Sequence, residues 1–269
     1  MKRWALLLEY DGSPFVGWQR QINGVSVQGV LEEAARHLNA DQPVASIVAG
    51  RTDAGVHAEG QVAHIDLPDA HHAKAIRDAL NFHMMPHPIV VLRAVAVGPH
   101  WNARFSASRR TYRFRILNRR SRPALMAGRV WHVANPLDAT SMHEAAQSLL
   151  GRHDFSSFRA ASCQANSPIR TLDRLDVTRH DDVVEFITSA RSFLHHQVRN
   201  FVGTLKLVGE GRWPVERVSK VLDAKSRAAA GPTAPPEGLT LIGVDYSENP
   251  FRDQGLISMA SEAIIMPID

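Results

Sequence analysis

Ala49-Gly50-Arg51-Thr52-Asp53-Ala54-Gly55-Val56-His57-Ala58-Glu59-Gly60-Gln61 stands between two strand candidates. Upstream, Pro43 to Ala49 is apolar and β-rich. Downstream, Gly60 to Leu67 alternates, with Val62, Ile65 and Leu67 among polar residues, which is the period of a half-buried strand. The segment between them carries three glycines and can bring backbone close to a ligand. It lacks the spacing of a P-loop and has no Gly-Lys-Ser/Thr.

Working outward, Arg3 to Tyr10 is a strand candidate, and Val27, Val30, Leu31, Ala34, Ala35 and Leu38 recur at helical spacing. Ile76, Ala79 and Leu80 mark a second helix, and Pro88 to Val97 is a β-branched run. The order β-α-β-β-α-β is the split βαβ arrangement of ferredoxin-like, RRM-like domains. The rest of the chain repeats that order with longer loops. Arg110 to Leu117 and Arg129 to Val133 read as strands, and Met142 to Leu150 reads as a helix stopped by Gly151. Leu172 to Arg179 and Val183 to Ala190 read as paired strands, Leu194 to Val208 as a long amphipathic helix, and Leu239 to Tyr246 as a last strand. The fold class is therefore α+β, in two halves, 1–105 and 106–269. Ala228 to Gly238 is a loop, and the tail from Pro250 has no clear period.

The 269 residues carry a net charge of only +4. No Asp or Glu occurs between Asp78 and Asp138, yet ten arginines do, Arg104, Arg109, Arg110 and Arg113 among them. Such a block is either a solvated basic face or a surface for phosphate. A single cysteine, Cys163, excludes an internal disulfide and a cysteine zinc site. No apolar run reaches the ~20 residues of a membrane span, and Met1-Lys2-Arg3-Trp4 does not open a signal peptide. A cytoplasmic location is expected.

Asp53 is, locally, either a turn aspartate or a reacting carboxylate. Arg51 beside it can pair with it, face phosphate or sit in solvent. Tyr112 in Arg109-Arg110-Thr111-Tyr112-Arg113 is either a stacking platform among phosphate contacts or a sheet-core tyrosine. His195 and His196 are adjacent, so on one helix they point to different faces and form no chelating pair. No metal is expected there. His83 and His87 read as structural or solvated.

Together these segments resemble one family, the tRNA pseudouridine synthases of the A type. Tyr10-Asp11-Gly12, Phe15, Gly17-Trp18-Gln19 and Gln21 look like its opening signature, and Val27-Gln28 its first helix start. Gly50 to His57 looks like its catalytic loop without a mismatch. Ala103-Arg104-Phe105-Ser106-Ala107, Tyr112, His153-Asp154-Phe155 with Phe158, Arg170-Thr171, Val198-Arg199-Asn200 with Gly203, and Thr233-Ala234-Pro235 with Gly238-Leu239 follow in order. Two departures stand out. Trp101-Asn102 replaces the usual Phe-His, and Gln197 replaces the usual Met.

The resemblance implies a pseudouridine synthase core with a central cleft and an isomerase converting uridine to pseudouridine at anticodon-arm positions 38–40 of tRNA. It implies that Asp53 carries the catalysis, Tyr112 stacks on the base and Arg199 pairs with Asp53. Arg51, with Arg104, Arg109, Arg110 and Arg113, would meet RNA, and the enzyme would be a homodimer without cofactor or metal. Two other readings compete. One is a non-catalytic RNA chaperone, which has no use for a paired carboxylate. The other is a nucleoside hydrolase, which usually needs a second carboxylate, and Glu59 is the near candidate.

Overall fold

The computed structural model describes residues 1–252; the tail beyond lies outside the described residues. Alternation in β1 (Lys2–Tyr10) sends Trp4, Leu6, Leu8 and Tyr10 into the main core. There they meet Leu31, Ala34 and Ala35 of α1 (Val27–Arg36) and Ile76 and Leu80 of α2 (Ala73–His83). Ala5 and Leu7 of the same strand join a second cluster with Val62, Trp101 and Tyr246. Period two thus splits one strand between two apolar layers. The helix starts are local chemistry. Ser26 Oγ accepts from Gly29 N at 3.1 Å at the start of α1, satisfying one otherwise orphaned N–H.

β2 (Ser46–Val48) and β3 (His57–Leu67) flank the Asp53 loop and pair antiparallel. β4 (Ile89–Val97) lies on the other side of β1. The later part supplies β5 (Ala107–Leu117), β6 (Trp131–His132), α3 (Ala139–Gln147), β7 (Gly151–Asp154), β8 (Ile169–His180) and β9 (Val183–Ala190). Then come α4 (Gln197–Gly209), α5 (Arg217–Asp223) and β10 (Leu239–Tyr246).

The ten strands of the described residues form one sheet in the order β4-β1-β3-β10-β5-β9-β8-β7, with β2 on β3 and β6 on β5. Neighbours run antiparallel except at β3–β10 and β5–β6. Thr240 and Leu241 opposite His57 and Ala58 join the earlier strands to the later ones beside the Asp53 loop. Two elements escape the sequence pattern. β7 has no apolar alternation and is held as an edge strand by its partner β8. α5 is only 7 residues long, too short for a periodic signal. Gly151 opens β7 at φ +94° rather than simply ending a helix.

α4 is buried nearly all round, packing Phe201 against Phe155 and Phe158 with ring centroids 5.5 and 5.0 Å apart. Gly203 lets a second chain segment cross it, because a Cβ there would lie 1.7 Å from Pro232 O. That crossing brings Ala234 alongside Arg199, whose carbonyl accepts from Ala234 N at 3.1 Å.

Candidate active site

The Asp53 loop is held from below by the segment that follows β1. Trp18 N donates to Thr52 O at 3.0 Å and Gly55 N to Phe15 O at 3.3 Å. Thr52 Oγ1 and Tyr10 Oη are hydrogen-bonded at 2.8 Å, and Gln61 Nε2 donates to Gly50 O at 2.7 Å. Gly17 sits at φ +105°, and a Cβ there would press within 2.8 Å of Thr52 O; only glycine combines that dihedral with that approach. The opening signature is therefore the scaffold of the loop.

Asp53 stands partly exposed, its side chain 21% accessible, and one guanidinium and two imidazoles converge on its carboxylate. Arg199 Nη1 donates to Oδ2 at 3.2 Å across a sequence gap of 146 residues, while Arg199 Nε donates to Ala234 O at 2.7 Å. His195 Nε2 lies 3.4 Å from Oδ1 and His196 Nε2 3.5 Å from Oδ2. The sequence pattern predicts the two histidines on one helix, pointing apart. The structure corrects this: α4 begins only at Gln197, and His196 is its N-cap in the left-handed region at φ +62°, ψ +6°. With both residues in the turn before the helix, the divergence imposed by helical geometry does not apply, and both rings reach Asp53. Each of Asp53, His195 and His196 offers one ligand atom within 4.8 Å of the others, so this is where a metal could be held. Gln197 holds this turn, its Oε1 accepting from Leu194 N at 2.7 Å, and because His196 makes no side-chain cap bond no helix-start signal in the sequence marked it.

Burial works against an ionised Asp53. The hydrogen-bonding approach of His195, the charges of His196 and His195 and the Arg199 guanidinium outweigh it and hold the carboxyl below its usual range. His195 is correspondingly raised by its contact with Asp53. His196 is lowered, because burial outweighs the pull of the same carboxylate. The arrangement keeps a carboxylate charged, aimed and reachable, which suits a nucleophile or base.

Tyr112 lies on β5, 8% exposed and edge-on to Phe193 with centroids 5.3 Å apart. Burial pushes its hydroxyl well above the ordinary range, with Tyr10 and Asp53 adding to the shift, and neighbouring Tyr10 is pushed up to about 12. Both stay neutral near pH 7.

The arginines separate by partner. Arg51 is exposed, and its guanidinium has no partner among the described residues. Arg104 is exposed with its guanidinium 5.6 Å from the Phe105 ring centroid, and Arg109 lies 3.9 Å from Asp173. Arg113 is paired with Glu59 and lies 3.9 Å from Glu185. Glu59, the second carboxylate a hydrolase would require, is thereby neutralised by a neighbour of its own. Arg110 corrects the sequence expectation outright. It is 7% exposed, and its five N–H donors meet the carbonyls of Ala49, Ala107, Arg191 and Arg104 at 2.6–3.2 Å. A guanidinium so enclosed offers nothing to RNA; it ties β5 to the start of the Asp53 loop. Of the two departures from the family pattern, Trp101-Asn102 is local packing: Trp101 lies against Tyr246 at 5.1 Å, and Asn102 Oδ1 accepts from Arg104 N and Phe105 N. The other, Gln197, accepts from Leu194 N in the turn before α4.

Among the described residues no helix is long and apolar enough to cross a membrane. A family model described as tRNA pseudouridine synthase matches residues 145–247. The tRNA pseudouridine synthase A of Acidiphilium cryptum is 66% identical over 252 residues, covering 93% of this chain and 99% of that protein. Its counterpart in Gluconobacter oxydans is 56% identical over 254 residues, covering 94% and 92%, and that in Rhodospirillum centenum 60% over 239 residues, covering 89% and 97%. Likeness at that level along nearly the whole of both chains leaves one assignment: this chain belongs to the tRNA pseudouridine synthase A family and is an isomerase.

Proposed function

We propose that this chain isomerises uridine to pseudouridine at anticodon-arm positions 38–40 of tRNA, with Asp53 as the reacting carboxylate. One observation carries the reading: a reachable carboxylate, held ionised by Arg199 and faced by two imidazoles. A binding module gains nothing from such a group, since it repels phosphate. The reaction breaks C1′–N1, turns the uracil and joins C5 to C1′. N1 gains a proton and C5 loses one to water, so neither a redox step nor a cofactor is required. Asp53 serves by attack at C1′, by addition at C6 or by proton abstraction at C2′; each uses the same carboxylate in the same place.

Arg199 keeps Asp53 charged in a fixed direction, which Lys cannot do as well because it lacks the planar fork. Extruding the target base from its stack costs a few kcal/mol. Stacking on Tyr112 offsets about 1–3 kcal/mol of that. Arg51, close in sequence to Asp53 and unpaired among the described residues, is the natural group to hold a phosphate or fill the vacated space. Arg104 and Arg109 extend the phosphate track. The division into halves 1–105 and 106–269 is supported in the first by the order β1-α1-β2-β3-α2-β4, whereas the second has further strands and a further helix. The working enzyme is a cytoplasmic homodimer with tRNA across both subunits.

The test is tRNA transcript carrying tritium at C5 of uridine, incubated with the parent protein and with Asp53→Asn. Release to water by the parent, abolished in the variant while tRNA binding survives, is the expected result. Binding without release from either protein sinks the isomerase reading, and free uracil among the products would install the hydrolase.

A further inference from the structure

The turn before α4 is closed by its own hydrogen bonds. Gln197 N donates to Leu194 O at 3.0 Å, and Leu194 N donates to Gln197 Oε1 at 2.7 Å. This reciprocal clamp brackets His195 and His196. Gln197 is 1% exposed, and its amide oxygen supplies the acceptor of the second bond. His195 O accepts from Ala160 N at 2.9 Å, and Ser162 Oγ lies 3.4 Å from His195 Nδ1, leaving Nε2 turned to Asp53. His196 is kept in the left-handed region at φ +62°, a conformation that non-glycine residues seldom adopt.

Two imidazole nitrogens and a carboxylate held in this way make a metal-ligand set. His195 Nε2 lies 3.4 Å from Oδ1 and His196 Nε2 3.5 Å from Oδ2, and one ligand atom from each of the three residues lies within 4.8 Å of the others. Neighbouring ligands around a tetrahedral ion with bonds of ~2.0–2.1 Å stand ~3.4 Å apart, so a small inward turn of these side chains closes the set. A contact to the distal ring nitrogen, as Ser162 makes to Nδ1, is the usual way a ligating histidine is oriented. All three side chains are partly exposed, at 21–39%, so an ion can enter and keep water in its fourth position.

We propose that the RNA-free enzyme binds one late first-row divalent cation, of the zinc class, through Asp53, His195 Nε2 and His196 Nε2, and that the bound ion shuts the site. Nitrogen ligands favour zinc, copper or nickel, whereas magnesium prefers oxygen ligands and keeps its waters. Arg199, 3.2 Å from Oδ2, opposes the ion and makes the site weaker than a His-His-carboxylate set without a cation beside it. The ion is therefore an exchangeable inhibitor that substrate can displace. The blocking half rests on the reading of Asp53 as the reacting group; the binding half does not.

The experiment takes the purified full chain, stripped with chelator, and titrates it with Zn²⁺ against a chromophoric competitor. One equivalent is expected to bind. His195→Gln with His196→Gln, checked for folding by circular dichroism, is expected to weaken that binding at least tenfold. Gln197→Met, which leaves all three ligands in place, is expected to weaken it less. No stoichiometric binding, or binding unchanged in the double variant, overturns the site; in the second case the ion sits elsewhere, as at the stacked His37 and His83. In the tritium assay Zn²⁺ is expected to inhibit in competition with tRNA and to be reversed by EDTA, while Mg²⁺ does not inhibit. Binding in the titration without inhibition of an active enzyme overturns the blocking half alone. Absence of release even from metal-free enzyme would instead count against the isomerase reading, and the titration would still decide the site.

Discussion

The arginine-rich strand β5 and the turn that opens α4 make an instructive pair. β5 announces itself: Arg109, Arg110, Arg113 and Arg115 crowd one short stretch inside a long acid-free interval. The α4 turn contributes one arginine and two histidines. Yet the conspicuous cations are largely engaged. Arg110 is enclosed by four carbonyls, Arg113 meets Glu59 and Glu185, and Arg119 and Arg129 meet Asp182 and Asp11 at 3.3 and 2.8 Å. The modest group at α4 faces a single carboxylate. A cation's role is set by what it faces, and the acids missing from the arginine block arrive from other parts of the chain.

The largest effect bearing on this contrast is on folding. Arg110→Ala leaves the buried carbonyls of Ala49 and Ala107 short of donors and those of Arg104 and Arg191 partly so, at about 1–3 kcal/mol for each buried group before relaxation, so a loss of about 4 kcal/mol is expected in denaturant titration. A variant that keeps its stability but loses tRNA affinity would return Arg110 to the RNA surface and erase the difference between the two regions.

His64 tests the same idea with a side chain that must stay neutral. It is 3% exposed and its Nδ1 accepts from Ala103 N at 3.1 Å. Burial first, then the charge of Arg3, lowers its pKa to about 4. The unfolded chain binds the proton near pH 6.5 and the folded chain only near 4, so between those values the unfolded state holds more protons. Stability is full above about pH 6.5 and falls as pH drops toward 4, by on the order of 3 kcal/mol. Thermal melts across that window are expected to show the slope, and His64→Gln to flatten it. A slope unchanged in the variant would assign it to other groups.

Arg199→Lys keeps the charge and loses the fork. The tritium-release kcat is expected to fall about 10- to 100-fold, or about 1.4–2.8 kcal/mol, with little change in tRNA affinity. A fall in melting temperature with kcat intact would reduce Arg199 to a structural clamp on Ala234. The smallest effects belong to the exposed arginines. Arg51→Ala and Arg109→Ala are expected to leave the melting temperature within a degree or so, as for surface substitutions. Each is expected to lower the salt slope of tRNA binding by about one for every phosphate it would otherwise neutralise. An unchanged slope removes that residue from the RNA path.

The linear chain was enough to give the family, the order of the principal strands and helices, and the loop that presents Asp53. Periodic burial and the turn chemistry around glycine, serine and asparagine act over a few residues, so they are written where they act. β10 matches its sequence bounds because Leu239 to Tyr246 carries its own strand character. Packing in three dimensions was needed to bring both histidines to Asp53, to make Arg110 a buried tie rather than an RNA contact, and to join ten strands into one sheet at β3 and β10. Each of these depends on groups far apart in the chain meeting, as Arg199 and Asp53 do across 146 residues. Such meetings are fixed by the whole core at once, and no local window carries their signal.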